Sequence, residues 1–311
     1  LAEWLFEDGI GEARAALVSG GAIVAARIEL PDPPHELRLG TVADARLVAR
    51  DRVRLQHGAE LLLDGRAGVS EGAALRVVVT REAIPEPGRA KLARCRVTDA
   101  PLGDGPDLRA RIAATGHPVR VLHPHQDDAL EAAGWGEVLD EAMTGDIAFA
   151  GGALRLSPTP AMTLFDVDGS GDLAALSVAA ATAVARAIER HDIGGSIGID
   201  FPSVQGRSAR HAVVAAIDAA LSPPFERTAM NGFGFVQIVR PRPRASLPEL
   251  LRADPVGAAA RAALRRLERT PPLAPLVMRL PGAVKARIEA RPDWLAALAR
   301  RTGRTVQLEQ Q

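Results

Sequence analysis

The passage from Met162 to Phe201 leaves this chain the fewest alternatives. An apolar run, Met162 to Val167, is followed by Asp168-Gly169-Ser170-Gly171, an Ala-rich stretch from Asp172 to about His191, the pair Gly194-Gly195, and a second apolar run, Ser196 to Phe201. Asp172 is a helix N-cap residue and the glycine pair reads as a C-terminal stop, so the spacing predicts strand, helix, strand: a βαβ unit with a parallel sheet. A further helix, Arg207 to Leu221, and a strand, Phe233 to Val239, extend the α/β layer.

Upstream, Ala13 to Leu30 alternates about Gly20-Gly21 and reads as a hairpin at a sheet edge. After a break at Pro31 to Pro34 come five short runs rich in Val, Leu and Arg, near 37–47, 52–55, 59–63, 74–80 and 91–97, punctuated by Gly58, Gly65, Gly72 and Gly88. That rhythm suits a small barrel of the OB type. Residues 105–145 read as helical, with Asp127 to Ala142 amphipathic, and Ile147 to Leu156 as a second hairpin about Gly151-Gly152. Beyond residue 256 a smaller helix–strand pattern repeats, with strands at Leu276 to Leu280 and Thr305 to Leu308.

Charge divides along the chain although the total is zero: two bases against six acids in 1–35, twelve against eight in 36–98, nine against eighteen in 99–239, and fifteen against six in 240–311. Basic modules flanking an acidic middle fit a protein that grips a polyanion at its edges and holds a cation at its centre, or opposite charges that complement one another between domains. The single cysteine, Cys95, excludes an internal disulfide and a cysteine-rich zinc site, and as a strand residue it reads as a small buried hydrophobe in a protein of the reducing cytosol. Acids in Leu1 to Glu12 have the wrong sign for a targeting segment, and Leu173 to Ile188, broken by Arg186, falls short of the roughly 20 apolar residues of a membrane span. Aromatics are 3% of residues, so recognition by stacking has little to work with.

Asp166 closes one buried run and Asp200 the other, and neighbouring parallel strands bring such residues together. Two ionised carboxylates beside an apolar core repel one another, which a divalent cation relieves; Mg²⁺ takes one or two carboxylates and keeps waters for substrate. Asp168, two residues on, shares the side of Asp166 if the strand continues. Acids at strand ends also cap helices and turns, and that alternative stays open on spacing alone. The loop Gly169 to Gly171 offers backbone N–H groups to a phosphate, or is simply a flexible turn. His117, His123 and His125 read as a polar surface loop, and no serine or histidine sits in a nucleophile elbow.

Three segments resemble the ribonuclease E/G family. Gly151 to Asp168, GGALRLSPTPAMTLFDVD, is similar to the family's hairpin and metal-binding strand; Arg190 to Phe201, RHDIGGSIGIDF, to its signature R-D-[IL]-G-G-x-I-x-I-D-F; and Gly232 to Arg242, GFGFVQIVRPR, to its R-F-G-L-x-E-x-[ST]-R-x-R strand. The resemblance implies an α/β fold: a ribonuclease-H-like domain (1–35 and 99–245) interrupted by an OB-type RNA-binding barrel (36–98), with a small basic C-terminal α/β domain (246–311). It implies a Mg²⁺-dependent endoribonuclease, Mn²⁺ being an alternative ion, that cuts single-stranded RNA in rRNA processing or turnover and leaves a 5′-phosphate, in the cytoplasm that the lone cysteine and the acidic first residues predict. Asp166 and Asp200 would hold the metal, Asp168 would orient the first carboxylate, and Lys91, Arg94, Arg96, Arg240, Arg242 and Arg244 would track phosphates.

The departures are specific. Asp168 stands where the family has Asn, Gln237 where it has Glu, Gly232 where it has Arg, and Ser177 where it has a helical Asn. No Arg-Thr pair of the family's 5′-phosphate sensor is recognisable between 99 and 150, and the paired cysteines of its zinc link are absent around Asp254-Pro255, so structural zinc and a zinc-linked dimer are not expected. The barrel has no Phe, Tyr or Trp, which leaves stacking there to Arg or His57. Two rival readings follow: an RNA-binding protein of the same fold without turnover, and a metal phosphohydrolase acting on small substrates.

Overall fold

The computed structural model describes residues 1–31, 37–86, 90–271 and 273–311. The Pro31 to Pro34 break, apart from Pro31, and Gly88 lie outside the described residues, as does Glu36 at the expected start of the barrel.

Strands β1 (Glu3–Asp8), β2 (Ala13–Ser19) and β3 (Ala22–Glu29) form an antiparallel meander. Gly20 and Gly21, both at positive φ, make the predicted turn between β2 and β3. The chain then builds a closed barrel from β4 (Val42–Ala49), β5 (Arg52–Leu55), β6 (Glu60–Leu63), β7 (Ala74–Arg81) and β8 (Arg94–Val97), in the order β4-β5-β6-β8-β7. Its interior is filled by Leu47, Val53, Leu61, Val77, Val79 and Cys95, all buried. Burial beside Asp64 pushes the Cys95 thiol up to about 12, so the cysteine is a core hydrophobe as the sequence predicts.

After the barrel, α1 (Leu108–Ala113) leads to β9 (Val119–Val121), which pairs parallel with β1. The two parts of the chain that flank the barrel therefore meet again in one four-stranded sheet, β3-β2-β1-β9. Helix α1 covers one face of that sheet, while α2 (Ala129–Ala132), α3 (Trp135–Thr144) and α6 (Leu247–Ala253) supply Leu130, Trp135, Val138 and Leu251 to the other.

A second sheet carries the acids. Strands β10 (Asp146–Phe149), β11 (Gly152–Pro158) and β12 (Thr163–Gly169) form a meander, α4 (Leu173–Arg190) crosses over, and β13 (Gly195–Asp200) returns parallel to β12. Helix α5 (Arg207–Ala220) and the strands β14 (Glu226–Arg227) and β15 (Phe235–Arg240) complete the order β10-β11-β12-β13-β15-β14. The first hairpin and the acid-bearing strands thus lie in two different sheets. Helices α4 and α5 bury one face of the second sheet over Phe165, Val167, Ile197, Ile199, Val236 and Ile238. The expected glycine cap of α4 is corrected: its C-cap is His191, and Asp192, at φ 55°, makes the left-handed turn ahead of Gly194-Gly195.

Helices α7 (Pro255–Glu268), α8 (Gly282–Glu289) and α9 (Pro292–Thr302) pack around a two-stranded parallel sheet, β16 (Val277–Leu280) and β17 (Gln307–Gln310). Helix α7 is fastened to the amino-terminal sheet by charge. Arg261 donates to Glu12 (2.8 Å), Arg265 to Glu7 (2.9 Å) and Asp128 (2.6 Å), and Arg269 to Glu7 (2.6 Å). Arg14, fully buried, pairs with both Glu7 and Glu12. Among the described residues no helix is long and apolar enough to cross a membrane.

Candidate active site

The face of the second sheet that α4 and α5 leave uncovered carries Asp166, Asp168 and Asp200, all exposed. Residues alternate between faces of a strand, so Phe165 and Val167 enter the core and Asp166 and Asp168 point the other way. Strand β12 runs on to Gly169, which keeps Asp168 on the side of Asp166 as expected. Asp166 and Asp200 are register partners across the parallel pair β12/β13, about 4.8 Å apart along the backbone.

The register extends this into a transverse row: Asp146 opposite Arg155, Arg155 opposite Asp166, Asp166 opposite Asp200, and Asp200 opposite Phe235. Arg155 was not singled out from the sequence. Its alternation within Ala153 to Ser157 was the available signal, but which residues it joins depends on the pairing of three strands. Its side chain is 66% exposed and pairs with Asp146 at 3.7 Å. Among the described residues, Asp166, Asp168 and Asp200 have no hydrogen-bond or ion-pair partner through their carboxylates, and no group of three or more His, Cys, Asp or Glu side chains is placed to hold a metal ion. Two adjacent, unpaired oxygen donors open to solvent fit a hard divalent cation that keeps most of its waters.

Below the row the surface turns apolar. Gly198 is needed there: a Cβ on it would lie 2.6 Å from Phe235 Cζ and 2.8 Å from Leu164 Cδ2, so the missing side chain lets those two groups close over β13. Gln237, opposite Gly198, donates its side-chain amide to Ser196 Oγ at 3.0 Å. Ser177 is buried in α4 with its hydroxyl bonded to Leu173 O at 2.7 Å, on the covered side of the sheet and away from the acids. Gly169 ends β12, and beyond Gly171 Asp172 takes the N–H groups of Ala174 and Ala175, leaving those donors unavailable to a phosphate.

The six basic residues expected to track RNA are not gathered at this row. Arg240, Arg242 and Arg244 lie at and beyond the opposite end of β15, paired with Glu189 (3.2 Å), Glu249 and Asp192 (3.6 Å). On the barrel, Lys91 pairs with Glu86 and reaches Pro160 O, in the β11/β12 turn, at 3.3 Å, and Arg94 pairs with Asp64. Arg96 is exposed, with no ion pair among the described residues. Glu82 N donates to Pro243 O at 2.8 Å, so the barrel adjoins the end of the second sheet remote from Asp200. His123 and His125 stack on one another at 5.7 Å, in a surface loop as expected.

Comparison with known proteins agrees with the motifs. A model of the ribonuclease E/G family matches residues 110–243. Ribonuclease G of Escherichia coli (strain K12) is 30% identical over 114 residues, which cover 33% of this chain and 23% of that protein. Ribonuclease G of Salmonella typhimurium (strain SL1344) matches to the same extent, and that of Haemophilus influenzae is 32% identical over 114 residues. The matched stretch thus spans less than a quarter of those relatives. The chain resembles the ribonuclease E/G family in the segment that contains Asp166 and Asp200.

Proposed function

We propose that this protein is a metal-dependent endoribonuclease of the cytoplasm that hydrolyses phosphodiester bonds of single-stranded RNA, in RNA turnover or rRNA processing. The observation that carries the reading is the pairing of Asp166 with Asp200 in exact cross-strand register on the uncovered face, inside a segment that resembles a ribonuclease family. On this reading the two carboxylates hold Mg²⁺ or Mn²⁺, and Asp168 sets the position of the first from one pleat further along. When bound, the cation supplies an activated water and neutralises charge gathering on the phosphate. Arg155, beside Asp166 and weakly engaged by Asp146, takes a non-bridging phosphate oxygen, which gives a role to the arginine that stands among the three acids of the row. The barrel, attached at the far end of the sheet, holds the RNA away from the cut, with Arg96 as one available cation and Lys91 and Arg94 released to phosphate by exchange from Glu86 and Asp64.

The direct test offers an unstructured, end-labelled RNA to the purified protein. Internal cleavage is expected with Mg²⁺ or Mn²⁺, with 5′-phosphate on the downstream product and complete loss in chelator, while the melting temperature of the protein stays within about a degree. No cleavage at saturating metal, with RNA still bound, replaces this reading by the second one: an RNA-binding protein of the same fold. The observations favouring that alternative are Asp168 in place of Asn and the engagement of Gln237 with Ser196.

A further inference from the structure

The chain is poor in aromatic residues, yet one of its seven phenylalanines is held out in solvent: Phe233 is 85% exposed. Its backbone setting is tied by hydrogen bonds on both sides. Asn231 Oδ1 accepts from the backbone N–H groups of both Phe233 (2.9 Å) and Phe235 (3.0 Å), and Asn231 N donates to Phe235 O at 3.1 Å, which closes the tip of the β14/β15 hairpin. Gly234, at φ 94°, sits so tightly against β13 that a Cβ there would be 2.2 Å from Phe201 O. Phe201 N in turn donates to Gly234 O at 3.2 Å. The tip is thereby pinned to the residue that follows Asp200, and Phe233 stands two residues before Phe235, the register partner of Asp200.

An ordered backbone that presents a phenyl ring to water retains an apolar surface which burial would stabilise, and nothing in the hairpin's own hydrogen bonding requires an aromatic at that position. We propose that Phe233 is a stacking platform for the nucleobase adjoining the scissile phosphate. The inference rests on the nuclease reading, because the carboxylate pair is what brings a sugar–phosphate chain to this edge. The chemistry suits a base of any identity: each has a π-face, and a phenyl ring offers no hydrogen bond by which to choose among them. The platform would therefore position RNA at the row without reading its sequence.

Phe233→Trp turns this into a spectroscopic test, since the three native tryptophans, Trp4, Trp135 and Trp294, are buried at 4%, 2% and 5% exposure. Rapid mixing of this variant with a short oligouridylate in Mg²⁺ is expected to quench the introduced indole before product forms, whereas an abasic oligomer of equal length and charge leaves it unchanged. Phe233→Ala should weaken RNA affinity by roughly 5- to 150-fold, with a melting temperature like that of wild type, and the abasic oligomer should bind wild type and Phe233→Ala alike. If RNA is bound and cut but the indole is not quenched and Phe233→Ala binds as wild type, the platform is overturned and the nuclease stands. If the wild type neither binds nor cuts RNA, both fall together. Equal quenching by the abasic oligomer also overturns the platform, since it reports proximity of the backbone rather than stacking.

Discussion

Two carboxylates one strand spacing apart repel each other, and Asp200→Asn removes that repulsion while keeping size and shape. The variant should melt at or slightly above the wild-type temperature, yet cleave RNA orders of magnitude more slowly, because an amide is a poor ligand for a hard cation. A parallel loss of fold would instead make Asp200 structural. Asp168→Asn installs the residue that the family carries and is expected to keep or raise the cleavage rate, as followed under single turnover. Arg155 calls for a different readout. Its pair with Asp146 is long and solvent-exposed, worth about 0–1 kcal/mol, so Arg155→Met should hardly move the melting temperature. Because its proposed work is on phosphate, the same change should raise KM for RNA several-fold; an unchanged KM would leave the arginine with no role in the row.

The elements that hold the molecule together were unevenly legible. Hairpins at Gly20-Gly21 and Gly151-Gly152, the barrel strands and the β12–α4–β13 crossover announce themselves because alternation, helical spacing and turn glycines are local signals. Val119–Val121 and Glu226–Arg227 do not: a strand of three residues or two has no period, and the first exists only because Trp4–Phe6, more than a hundred residues earlier, offers it an edge. The acids of the site could be read because they end apolar runs, whereas Arg155 could not, since its neighbours come from register. A sequence likewise displays charge without its partner: Arg240, Arg242 and Arg244 engage Glu189, Glu249 and Asp192 in the folded chain. The clamp between α7 and the β1/β2 hairpin makes that partnership measurable. Burial raises the Glu7 carboxyl, but Arg14, Arg265 and Arg269 outweigh it and hold it below its ordinary value; Asp128, likewise partly buried, is held low chiefly by Arg265. Carboxyls depressed in the folded state contribute stability that is fully present above their unfolded values, near 4, and is lost as pH falls through the folded ones. Thermal melts should therefore drop steeply below about pH 4. His191 acts earlier, because burial lowers its imidazole against the opposing pull of Glu141, so the unfolded chain takes the proton first and a shallower loss begins near pH 6.5. Glu7→Gln takes the shared carboxylate from three guanidinium groups, leaving Arg14 with Glu12 and Arg265 and Arg269 with Asp128, and is expected to cost about 3 kcal/mol in denaturant unfolding; a cost below about 1 kcal/mol would mean the clamp is decorative.

Across the whole molecule, part of the division of charge between acidic middle and basic carboxy-terminal part is spent internally, on pairs such as Arg265 with Asp128 and Arg240 with Glu189. RNA affinity should accordingly respond to salt through a few exposed cations. Arg96→Ala is expected to reduce the slope of log affinity against log salt by roughly 0.7, whereas Arg242→Ala, which breaks a pair with Glu249, should lower the melting temperature and leave the slope nearly unchanged. The reverse pattern in a salt titration would return Arg242 to the RNA surface. One further feature bears on how such a molecule is put together. Where the chain leaves for the barrel and where it comes back, the two segments are stitched: Val42 and Gly103 exchange both backbone hydrogen bonds (2.8 and 3.2 Å), Gly105 N donates to Thr41 Oγ1 at 2.8 Å, and a Cβ on Gly105 would lie 2.3 Å from Leu39 O. A module whose two stems touch is a cassette. Cutting it out and bridging the stems with a few glycines is expected not to lengthen the path by which β9 returns to β1, with the contacts at Pro243 and Pro160 as what the host gives up.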